Sequence, residues 1–455
     1  MSAPVMVRLR DLGNWAGGNT PSKANPAYWT DGTVPWVSPK DMKIHEIISS
    51  EDRITELALA DGRVSMVPEG SILFVTRSGI LSHTFPVAIT KLPVTINQDL
   101  KALTPKEGIS PKYVAHAIRG ASQRILRECA KNGTTVASIE TSRLLDFAIP
   151  IGGMGEQLEI VAELEKQFSR LDEAVANLQR VKANLKRYKA SVLKDAVEGR
   201  LVPLEAELAR REGRSFETGE QLLQRILEAR RSIWKGKYDS PTPPVCPVDV
   251  EIPKGWTWVT VSQAMRERIV NGLSIKESQI PTEVRALRLS AMSDQGLDFD
   301  DFRCLPIDPA KVEDIVICES DFFVSRGNGS LELVGRGSPA QKPKQAIIFP
   351  DTMMRIRFTE VASVGPWFHA LWSTRLVRRQ IEKRVKTTAG IYKMAQPELA
   401  SITIPLPPLA EQSRIVTEVD RRLSLVRGVE REVDANLKRS WSLRQATLQK
   451  MFEVS

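Results

Sequence analysis

Two sets of basic, amide and hydroxyl side chains lie in polar loops of the sequence. The first set falls within residues 1–150 and comprises Lys40, Lys43, Arg77, Ser78, Asn132, Thr134 and Thr135. The second set falls within residues 255–406 and comprises Arg288, Arg326, Asn328, Lys386 and Thr387. Arg and Lys suit the acceptors of guanine, Asn suits adenine, and hydroxyl groups can bond to bases or to phosphates. If the chain binds DNA, these residues are the candidate contacts, and roughly half of them are expected to touch phosphate or to be bystanders.

The charge of the chain is compatible with this interpretation. The formal net charge is +9 over 455 residues. An excess of positive charge favours a polyanionic partner, but it also serves solubility. Charge alone therefore leaves both interpretations open.

The sequence contains no recognisable catalytic motif. It lacks a GxxxxGK[ST] phosphate loop, a GxGxxG turn after a strand, an HExxH helix and a Gly-x-Ser-x-Gly elbow. Asp298, Asp300 and Asp301 form an acidic cluster without the Lys or His spacing of a nuclease, which favours a solvated loop. We therefore expect a protein that is not itself an enzyme.

Cysteine and histidine usage predicts neither a zinc site nor a disulfide framework, because the four residues of each type are dispersed without a CxxC pair. No run of about 18 apolar residues predicts a membrane helix, and residues 1–10 lack the apolar core of a secretory signal. The expected location is the cytoplasm.

Five segments would position the candidate residues. Apolar runs broken by Gly, Pro, Asn and Ser predict strand-rich domains over residues 1–150 and 255–406. Long helices are predicted over residues 151–201 and 407–455. Residues 202–254 combine a helical segment with a Pro-rich linker.

Several local features sharpen this division. The spacing Thr218-Gly-Glu-Gln221 is typical of a capping box and predicts a helix to about Trp234. Single helices are predicted near the end of each strand-rich domain, over residues 113–130 and 366–386. Trp36 and Phe74 lie in apolar runs and are predicted to belong to the core rather than to stack on bases.

The long helices carry a heptad pattern, which predicts a coiled coil. Candidate seam residues in the first helix are Leu164, Phe168, Leu171, Val175, Leu178, Leu185 and Tyr188. Those in the second helix are Val419, Val426, Val433, Trp441 and Leu448. Val181, Tyr188 and Trp441 would widen the stripe beyond a two-helix seam, which predicts apolar surface for further helices.

The chain also contains an internal repeat. Glu156-Gln157 matches Glu411-Gln412 at an offset of 255 residues, and this offset holds without a gap along the long helices. Within the preceding domains it drifts, to 249 between Arg77 and Arg326 and to 252 between Ser38 and Ser290. A repeat of this period indicates a duplicated domain, with a geometrically fixed spacer and variable heads.

These motifs together resemble the specificity subunit of a type I restriction-modification system. The segments that carry the resemblance span most of the chain: Gly17-Gly-Asn-Thr-Pro-Ser22, Val34-Pro-Trp-Val-Ser-Pro-Lys-Asp41, Phe74-Val-Thr-Arg-Ser-Gly79, Leu185-Lys-Arg-Tyr-Lys-Ala-Ser-Val-Leu193 and Pro405-Leu-Pro-Pro-Leu-Ala-Glu-Gln412. Two departures stand out. The lead-in Ile149-Pro-Ile-Gly-Gly-Met-Gly-Glu-Gln157 is degenerate, and the second domain opens with Val270-Asn-Gly272 in place of Gly-Gly-x-Thr-Pro.

The resemblance implies an α+β fold with an internal pseudo-twofold repeat. Two target recognition domains would be separated by two long antiparallel helices, and each domain would bind half of a bipartite site in double-stranded DNA. The helices would dock two modification subunits, which carry S-adenosylmethionine and methylate adenine. ATP-dependent restriction subunits, which also need Mg, would join later. This chain would bind none of these cofactors.

An alternative from another class is a coiled-coil scaffold whose two heads bind proteins or other ligands. A helix of about 45 residues spans roughly 65 Å at about 1.5 Å per residue. That length is comparable to about two turns of duplex DNA at 34 to 36 Å each. Helix length could thus set the DNA spacer, and a steep dependence of binding on salt would separate DNA recognition from scaffolding.

Overall fold

The computed structural model describes residues 5–131, 136–245, 251–319, 321–361, 364–388 and 390–453. Contacts between Cα atoms divide the chain into two compact units. Unit 1 comprises Met1–Val181 with Glu432–Ser455, and unit 2 comprises Lys182–Arg431. Within the described ranges, no helix is both long enough and apolar enough to span a membrane. Three calls, Asn132, Thr134 and Thr135, lie outside the described residues.

Unit 1 combines ten strands with five helices, the last of which continues into unit 2. The strands are β1 (Val5–Arg8), β2 (Gly13–Gly17), β3 (Val34–Val37), β4 (Glu46–Ile47), β5 (Asp52–Ile54), β6 (Ile72–Val75), β7 (Val87–Thr90), β8 (Thr95–Ile96), β9 (Leu100–Pro105) and β10 (Ala148–Ile151), as counted over the described residues. The helices are α1 (Glu56–Ala60), α2 (Pro111–Gly120), α3 (Ser122–Glu128), α4 (Thr141–Asp146) and α5 (Met154–Val197).

Three sheets organise the strands of unit 1. The largest has the order β2-β9-β6-β7-β4, the second has the order β5-β3-β8, and β1 pairs antiparallel with β10. Phe74 is fully buried between Trp15 and Phe85, with ring centroids 5.2 and 6.1 Å away. Trp36 is also buried, against Trp29. The predicted core role of Phe74 and Trp36 is therefore confirmed.

Unit 2 contains the remaining elements. Its strands are β11 (Thr257–Thr260), β12 (Val270–Asn271), β13 (Val284–Leu287), β14 (Met292–Ser293), β15 (Gly296–Leu297), β16 (Phe302–Leu305), β17 (Asp321–Ser325), β18 (Gly327–Asn328), β19 (Gly337–Pro339), β20 (Met353–Arg357), β21 (Lys386–Thr388), β22 (Ile391–Lys393) and β23 (Thr403–Leu406). Its helices are α6 (Glu205–Glu212), α7 (Gly219–Ile233), α8 (Val261–Ala264), α9 (Val364–Trp372), α10 (Arg375–Arg384), α11 (Gln396–Ala400) and α12 (Leu409–Phe452), the last of which ends in unit 1.

The sheets of unit 2 repeat those of unit 1. The order β12-β20-β17-β19 corresponds to part of the large sheet, β11 pairs with β23 as β1 pairs with β10, and a small sheet has the order β18-β22-β21. Strands and helices are both abundant, which confirms the α+β class.

The two long helices pack in opposite directions within each unit. In unit 1, Leu164 and Phe168 near the start of α5 contact Leu448 near the end of α12. In unit 2, Val192 near the end of α5 shares a core with Val419 near the start of α12. The predicted antiparallel pair is confirmed.

One glycine in each domain explains how the second domain can depart from the family motif. A Cβ on Gly18 would lie 1.9 Å from the Asn97 carbonyl oxygen, and one on Gly272 would lie 2.0 Å from the Phe349 carbonyl oxygen. Where the chain leaves β2 and β12, it passes a neighbouring backbone segment so closely that only glycine, which has no Cβ, fits. Val270-Asn-Gly272 therefore keeps the residue that the geometry requires.

Helix boundaries were predicted with mixed success. Thr218 and Gln221 form a capping box in front of α7, as predicted. The single helix expected over residues 113–130 is wrong, because α2 ends at Gly120, where a Cβ would lie 3.1 Å from the Leu448 carbonyl oxygen. The single helix expected over residues 366–386 is wrong as well, because two helices occur there. The Thr374 hydroxyl accepts from the Val377 amide and so caps the start of α10, and Lys386 belongs to a strand.

Strand pairing also corrects one match of the repeat. Val37 pairs with Ile96 in parallel, and Ala286 pairs in the same way with Ile348. The amide of the residue after the close glycine donates to the Ile96 carbonyl in unit 1 and to the Phe349 carbonyl in unit 2. Ile96 therefore corresponds to Phe349, and Val37 corresponds to Leu287. The sequence match of Ser38 with Ser290 is therefore wrong by two residues, since Ser38 corresponds to Arg288.

Candidate nucleic-acid interface

In unit 1, the chain that leaves β6 takes part in a small sheet-like group of two isolated antiparallel bridges. Arg77 forms an antiparallel bridge with Ser138, and the Ser78 amide donates to the Ala137 carbonyl at 3.1 Å. Ile139 in turn bridges to Ala130. We call residues 77–78, 130–131 and 137–139 the N-terminal polar sheet. Its backbone bonds hold Arg77 and Ser78 on a fixed frame, as base recognition requires.

The Arg77 side chain is exposed but engaged. Its Nε atom lies 3.4 Å from an Asp99 carboxylate oxygen, while 64% of the side chain remains accessible. The Ser78 hydroxyl accepts from the Ile80 amide at 3.5 Å and so caps the following turn. Arg77 is therefore available to a ligand, whereas Ser78 mainly shapes the loop.

The loop after β3 lies beside this sheet through residues 97–99. The Asn97 amide donates to the Val37 carbonyl at 2.9 Å. Asp41 fixes the loop by accepting from the Ser38 amide at 2.8 Å and from the Glu51 amide at 2.9 Å. Residues 97–99 thus contact both Val37, at the start of the loop that carries Lys40 and Lys43, and Arg77.

Lys40 and Lys43 differ in their availability. The Lys40 Nζ atom lies 3.0 Å from both Glu51 and Asp52, and these hydrogen bonds raise the pKa of Lys40. Lys43 is exposed and forms no ion pair with any described residue. A DNA phosphate would have to compete with two carboxylates for Lys40 but not for Lys43.

In unit 2, four of the five predicted residues converge. Asn328 lies opposite Tyr392, and Tyr392 lies opposite Thr387, across the three strands of the sheet β18-β22-β21. Arg326 joins the same group, because its carbonyl accepts from the Met394 amide at 2.9 Å. We call β18, β21 and β22 the C-terminal polar sheet.

The side chains of the C-terminal polar sheet provide donors on a rigid surface. The Lys386 side chain is 81% exposed and forms an ion pair with Glu398 at 3.4 Å. Asn328 uses its side-chain oxygen to accept from the Ser330 amide at 3.1 Å. Arg326 donates to the Asp351 carbonyl at 3.4 Å and is half-buried. Basic, amide and hydroxyl groups within three adjacent strands can contact phosphates and base edges together.

Arg288 does not belong to the group on this sheet. Its guanidinium lies 2.6 Å from Glu277 and 3.6 Å from Asp301. The hydrogen bond to Glu277 raises the pKa of Arg288. These pairs orient Arg288 beside the start of the loop that corresponds to the Lys40 loop, where its role remains a prediction.

Inspection of the motifs missed four residues of the two polar sheets, namely Lys131, Ser138, Tyr392 and Lys393. The signal for the last two was present, because Lys386-Thr-Thr388 and Ile391-Tyr-Lys393 flank Ala389-Gly390 as a short hairpin pattern does. Lys393 is exposed and has no ion pair among the described residues. It is thus a stronger candidate for phosphate contact than Arg288.

The long helices of unit 1 leave part of their apolar surface uncovered. Leu164 and Phe168 are buried, but Leu171, Val175 and Leu178 are only half-buried. Farther along, Trp441 is 79% exposed, beside a groove of about 940 Å³ between α5 and α12. A groove lined by Leu178, Val181 and Leu443 offers a hydrophobic surface to another helix.

In unit 2, the long helices also carry both buried and exposed apolar residues. Val419 and Val426 are buried, whereas Leu185 is half-buried and Tyr188 is 45% exposed. In this part of the helix pair, the Lys189 ammonium group forms an ion pair with the Glu430 carboxylate at 2.6 Å. Among the remaining predicted seam residues, Val433 in unit 1 is buried, as expected for a residue that packs between the helices.

Comparison with known proteins places these features in context. Residues 2–186 match the family described as Type I restriction modification DNA specificity domain. Over 158 residues, the chain is 44% identical to the type I restriction enzyme EcoR124I/EcoR124II specificity subunit of Escherichia coli. The aligned stretch covers 35% of this chain and 39% of that subunit. Over 351 residues, it is 24% identical to the EcoKI specificity subunit of Escherichia coli strain K12, which covers 77% of this chain and 66% of that subunit. The matched part is thus less than two thirds of either relative.

The fold is shared over a greater length than the sequence. One chain of a solved structure, which concerns complex assembly and conformational transition of the type I R-M system, has a TM-score of 0.64 and 17% identity. The match covers 100% of this chain and 98% of that chain. Both long helices and both strand-rich domains therefore belong to the common fold.

Proposed function

Because residues 2–186 match the family described as Type I restriction modification DNA specificity domain, we propose that this chain is a specificity subunit of a type I restriction-modification system and that it recognises a bipartite sequence in double-stranded DNA. Each unit would contact one half of the site through its polar sheet and the neighbouring loop. The chain itself would carry no catalytic group and would select the DNA on which partner subunits act.

The duplicated polar sheet is the observation that supports this proposal most directly. In both units, the strand with the fully buried Phe74 or Phe323 leads to an Arg beside antiparallel pairing, which consists of two isolated bridges in unit 1 and of the sheet β18-β22-β21 in unit 2. The side chains around the two sheets differ, with Ser138 and Lys131 in unit 1 and Tyr392 and Lys393 in unit 2. A common frame with different side chains is suited to the recognition of two different half-sites.

The long helices would set the distance between the half-sites. Helices α5 and α12 contain 44 residues each. At about 1.5 Å per residue, such a helix is about 66 Å long, which is comparable to about two turns of duplex DNA. The DNA spacer would therefore depend on the number of heptads.

The exposed apolar surface of the helices would bind two modification subunits. Trp441 and the adjacent groove in unit 1, and Tyr188 in unit 2, provide the hydrophobic contacts that such docking needs. Those subunits would supply S-adenosylmethionine and methylate adenine, and restriction subunits would use ATP and Mg. No step of that chemistry would fall to residues of this chain.

Binding of DNA at increasing salt tests the proposal. The chain and its modification subunit are purified together, and the dissociation constant is measured for DNA selected from a random pool and for unselected DNA. We expect one bipartite sequence to be selected, with binding that weakens steeply as salt rises, because phosphate contacts release counterions. A complex that selects no sequence and keeps its affinity for a protein ligand at high salt would support the scaffold instead.

A further inference from the structure

The turn before β9, residues 97–99, places one exposed side chain among the candidate DNA-binding loops of unit 1. The Leu100 amide closes this turn by donating to the Asn97 carbonyl at 3.2 Å. The last carbonyl of the turn accepts from the Arg77 amide at 3.3 Å. Gln98 at the tip of the turn is exposed. Its backbone is therefore held by hydrogen bonds on both sides, while its side chain faces solvent.

The side-chain amide of Gln98 is oriented but still has free bonding capacity. The hydroxyl of Thr20, within the Gly-Gly-Asn-Thr-Pro motif, donates to the Gln98 Oε1 atom. An amide oxygen has two lone pairs, so Oε1 can accept a second hydrogen bond. The Nε2 atom of Gln98 forms no hydrogen bond with any described residue. One acceptor and one donor side by side match N6 and N7 of adenine in the major groove.

Asp351 occupies the same position in unit 2. The Met353 amide closes the corresponding turn by donating to the Pro350 carbonyl at 3.0 Å. Strand β20 then begins at Met353, as β9 begins at Leu100. Two residues before these strand starts, Asp351 corresponds to Gln98.

The Asp351 carboxylate is a free acceptor beside the C-terminal polar sheet. It belongs to a half-buried residue and forms no ion pair or hydrogen bond with any described residue. The Arg326 guanidinium donates instead to the backbone carbonyl of Asp351 at 3.4 Å. An unpaired carboxylate on a DNA-binding surface repels phosphates unless it meets a donor. The donor that the major groove ordinarily offers to a carboxylate is N4 of cytosine.

We propose that Gln98 and Asp351 are specificity-determining residues of the two half-sites. Gln98 accepts from N6 and donates to N7 of an adenine in the half-site of unit 1. Asp351 accepts from N4 of a cytosine in the half-site of unit 2. Thr20 is a positioning residue, because its hydroxyl orients the Gln98 amide. The inference rests on the proposed function, since it assumes that each unit binds one half-site.

DNA selection by the complex of the full chain with its modification subunit tests the role of Gln98. Gln98→Glu keeps the acceptor for Thr20 but removes the donor to N7. It should therefore change the preferred base at one position of one half-site from adenine to cytosine, with a change of about tenfold or more in the ratio of the two dissociation constants. Thr20→Val should relax the preference at the same position. Gln123→Glu, the same substitution at an exposed glutamine of α3, is the matched control and should leave every position unchanged.

The reciprocal substitution tests Asp351. Asp351→Asn adds a donor beside the acceptor, so it should change one position of the other half-site from cytosine to adenine. Asp314→Asn, at an exposed carboxylate of unit 2, is the matched control and should preserve all preferences. Asp351→Ala should bind DNA with a wrong base at this position more tightly relative to the selected sequence. If Asp351→Ala instead strengthens binding to all sequences alike, the carboxylate only repels phosphates, and the assignment of Asp351 is overturned.

The outcomes separate this inference from the proposed function. If the unaltered complex selects a bipartite sequence and both Gln98→Glu and Asp351→Asn select the same bases, the inference is overturned and the proposed function stands. If the unaltered complex selects no bipartite sequence, both are overturned. Selection reports only the bases chosen by molecules that bind, so a variant with reduced stability still gives a decisive result.

Discussion

At the scale of single residues, the two arginines that follow the central buried strands are the best candidates for sequence recognition. Arg77 and Arg326 end equivalent strands, and each lies beside backbone groups that fix its position. Their identity and equivalence could be predicted from Phe74-Val-Thr-Arg77 and Phe323-Val-Ser-Arg326. The pairing of Arg77 with Asp99 could not, because it depends on the turn before β9.

Arg326→Ala should relax the preference for one half-site and leave the other unchanged. The loss of a bidentate contact to a base typically costs about 1–3 kcal/mol. The measurement is DNA selection by the complex with the modification subunit, compared with Lys311→Ala, which alters an exposed lysine outside the sheet. Lys393→Ala should instead weaken binding to all sequences alike, as expected for a phosphate contact. Loss of preference in both halves after Arg326→Ala would contradict the assignment of one unit to one half-site.

His116 should make unit 1 sensitive to acid. The imidazole is 9% exposed, packs 5.8 Å from the Phe168 ring and has no hydrogen bond at Nδ1. Burial, and to a smaller extent the neighbouring groups Arg119, His45, Lys112 and Arg444, lower the pKa of His116 to about 3. The His116 imidazole therefore takes up a proton near pH 6.5 in the unfolded chain but not in the folded chain. The free energy of unfolding consequently falls as pH drops below about 6.5.

Urea unfolding at pH 7.5 and pH 5 measures this effect. At pH 5, the expected loss from His116 is about 2 kcal/mol. His116→Gln should remove a large share of that difference between the two pH values, and His45, whose pKa burial lowers to about 4, should account for the rest. His83→Gln, at an exposed histidine, should leave the difference unchanged. Equal losses in the unaltered chain and in His116→Gln would show that another group is responsible.

At the scale of elements, regular patterns were predicted more successfully than close contacts. The heptads and the capping box at Thr218 act within one helix, so the local sequence specifies them. The break between α2 and α3 depends on the approach of Gly120 to Leu448, which lies far away in the sequence. The N-terminal polar sheet was missed for a similar reason, since Ser138 pairs with Arg77 but lies far from it in the sequence.

Deletion of one heptad from each long helix should shorten the DNA spacer. The paired deletions are residues 171–177 in α5 and 426–432 in α12, which preserve the apolar register. Seven residues correspond to about 10 Å of helix, or about three base pairs of duplex. DNA selection by the complex measures the spacer, and the half-site sequences serve as the internal control. An unchanged spacer in a folded variant would contradict the proposal that helix length sets the distance.

At the scale of the whole molecule, duplication is the feature that links sequence to function. The repeat at an offset of 255 predicted two similar domains and a helix pair, and both occur in the fold. The sequence alone did not indicate that Met6 is 48% exposed whereas Trp258, at the corresponding position of the second copy, is 8% exposed.

The most direct test of the central claim is the mapping of methylated adenines in the DNA of cells that express this chain with its modification subunit. We predict that the modified positions share one motif with two specific halves separated by a spacer of fixed length and variable sequence. Arg77→Ala and Arg326→Ala should each degrade a different half. A continuous motif, or methylation without any shared sequence in cells that contain the intact complex, would contradict recognition by two units.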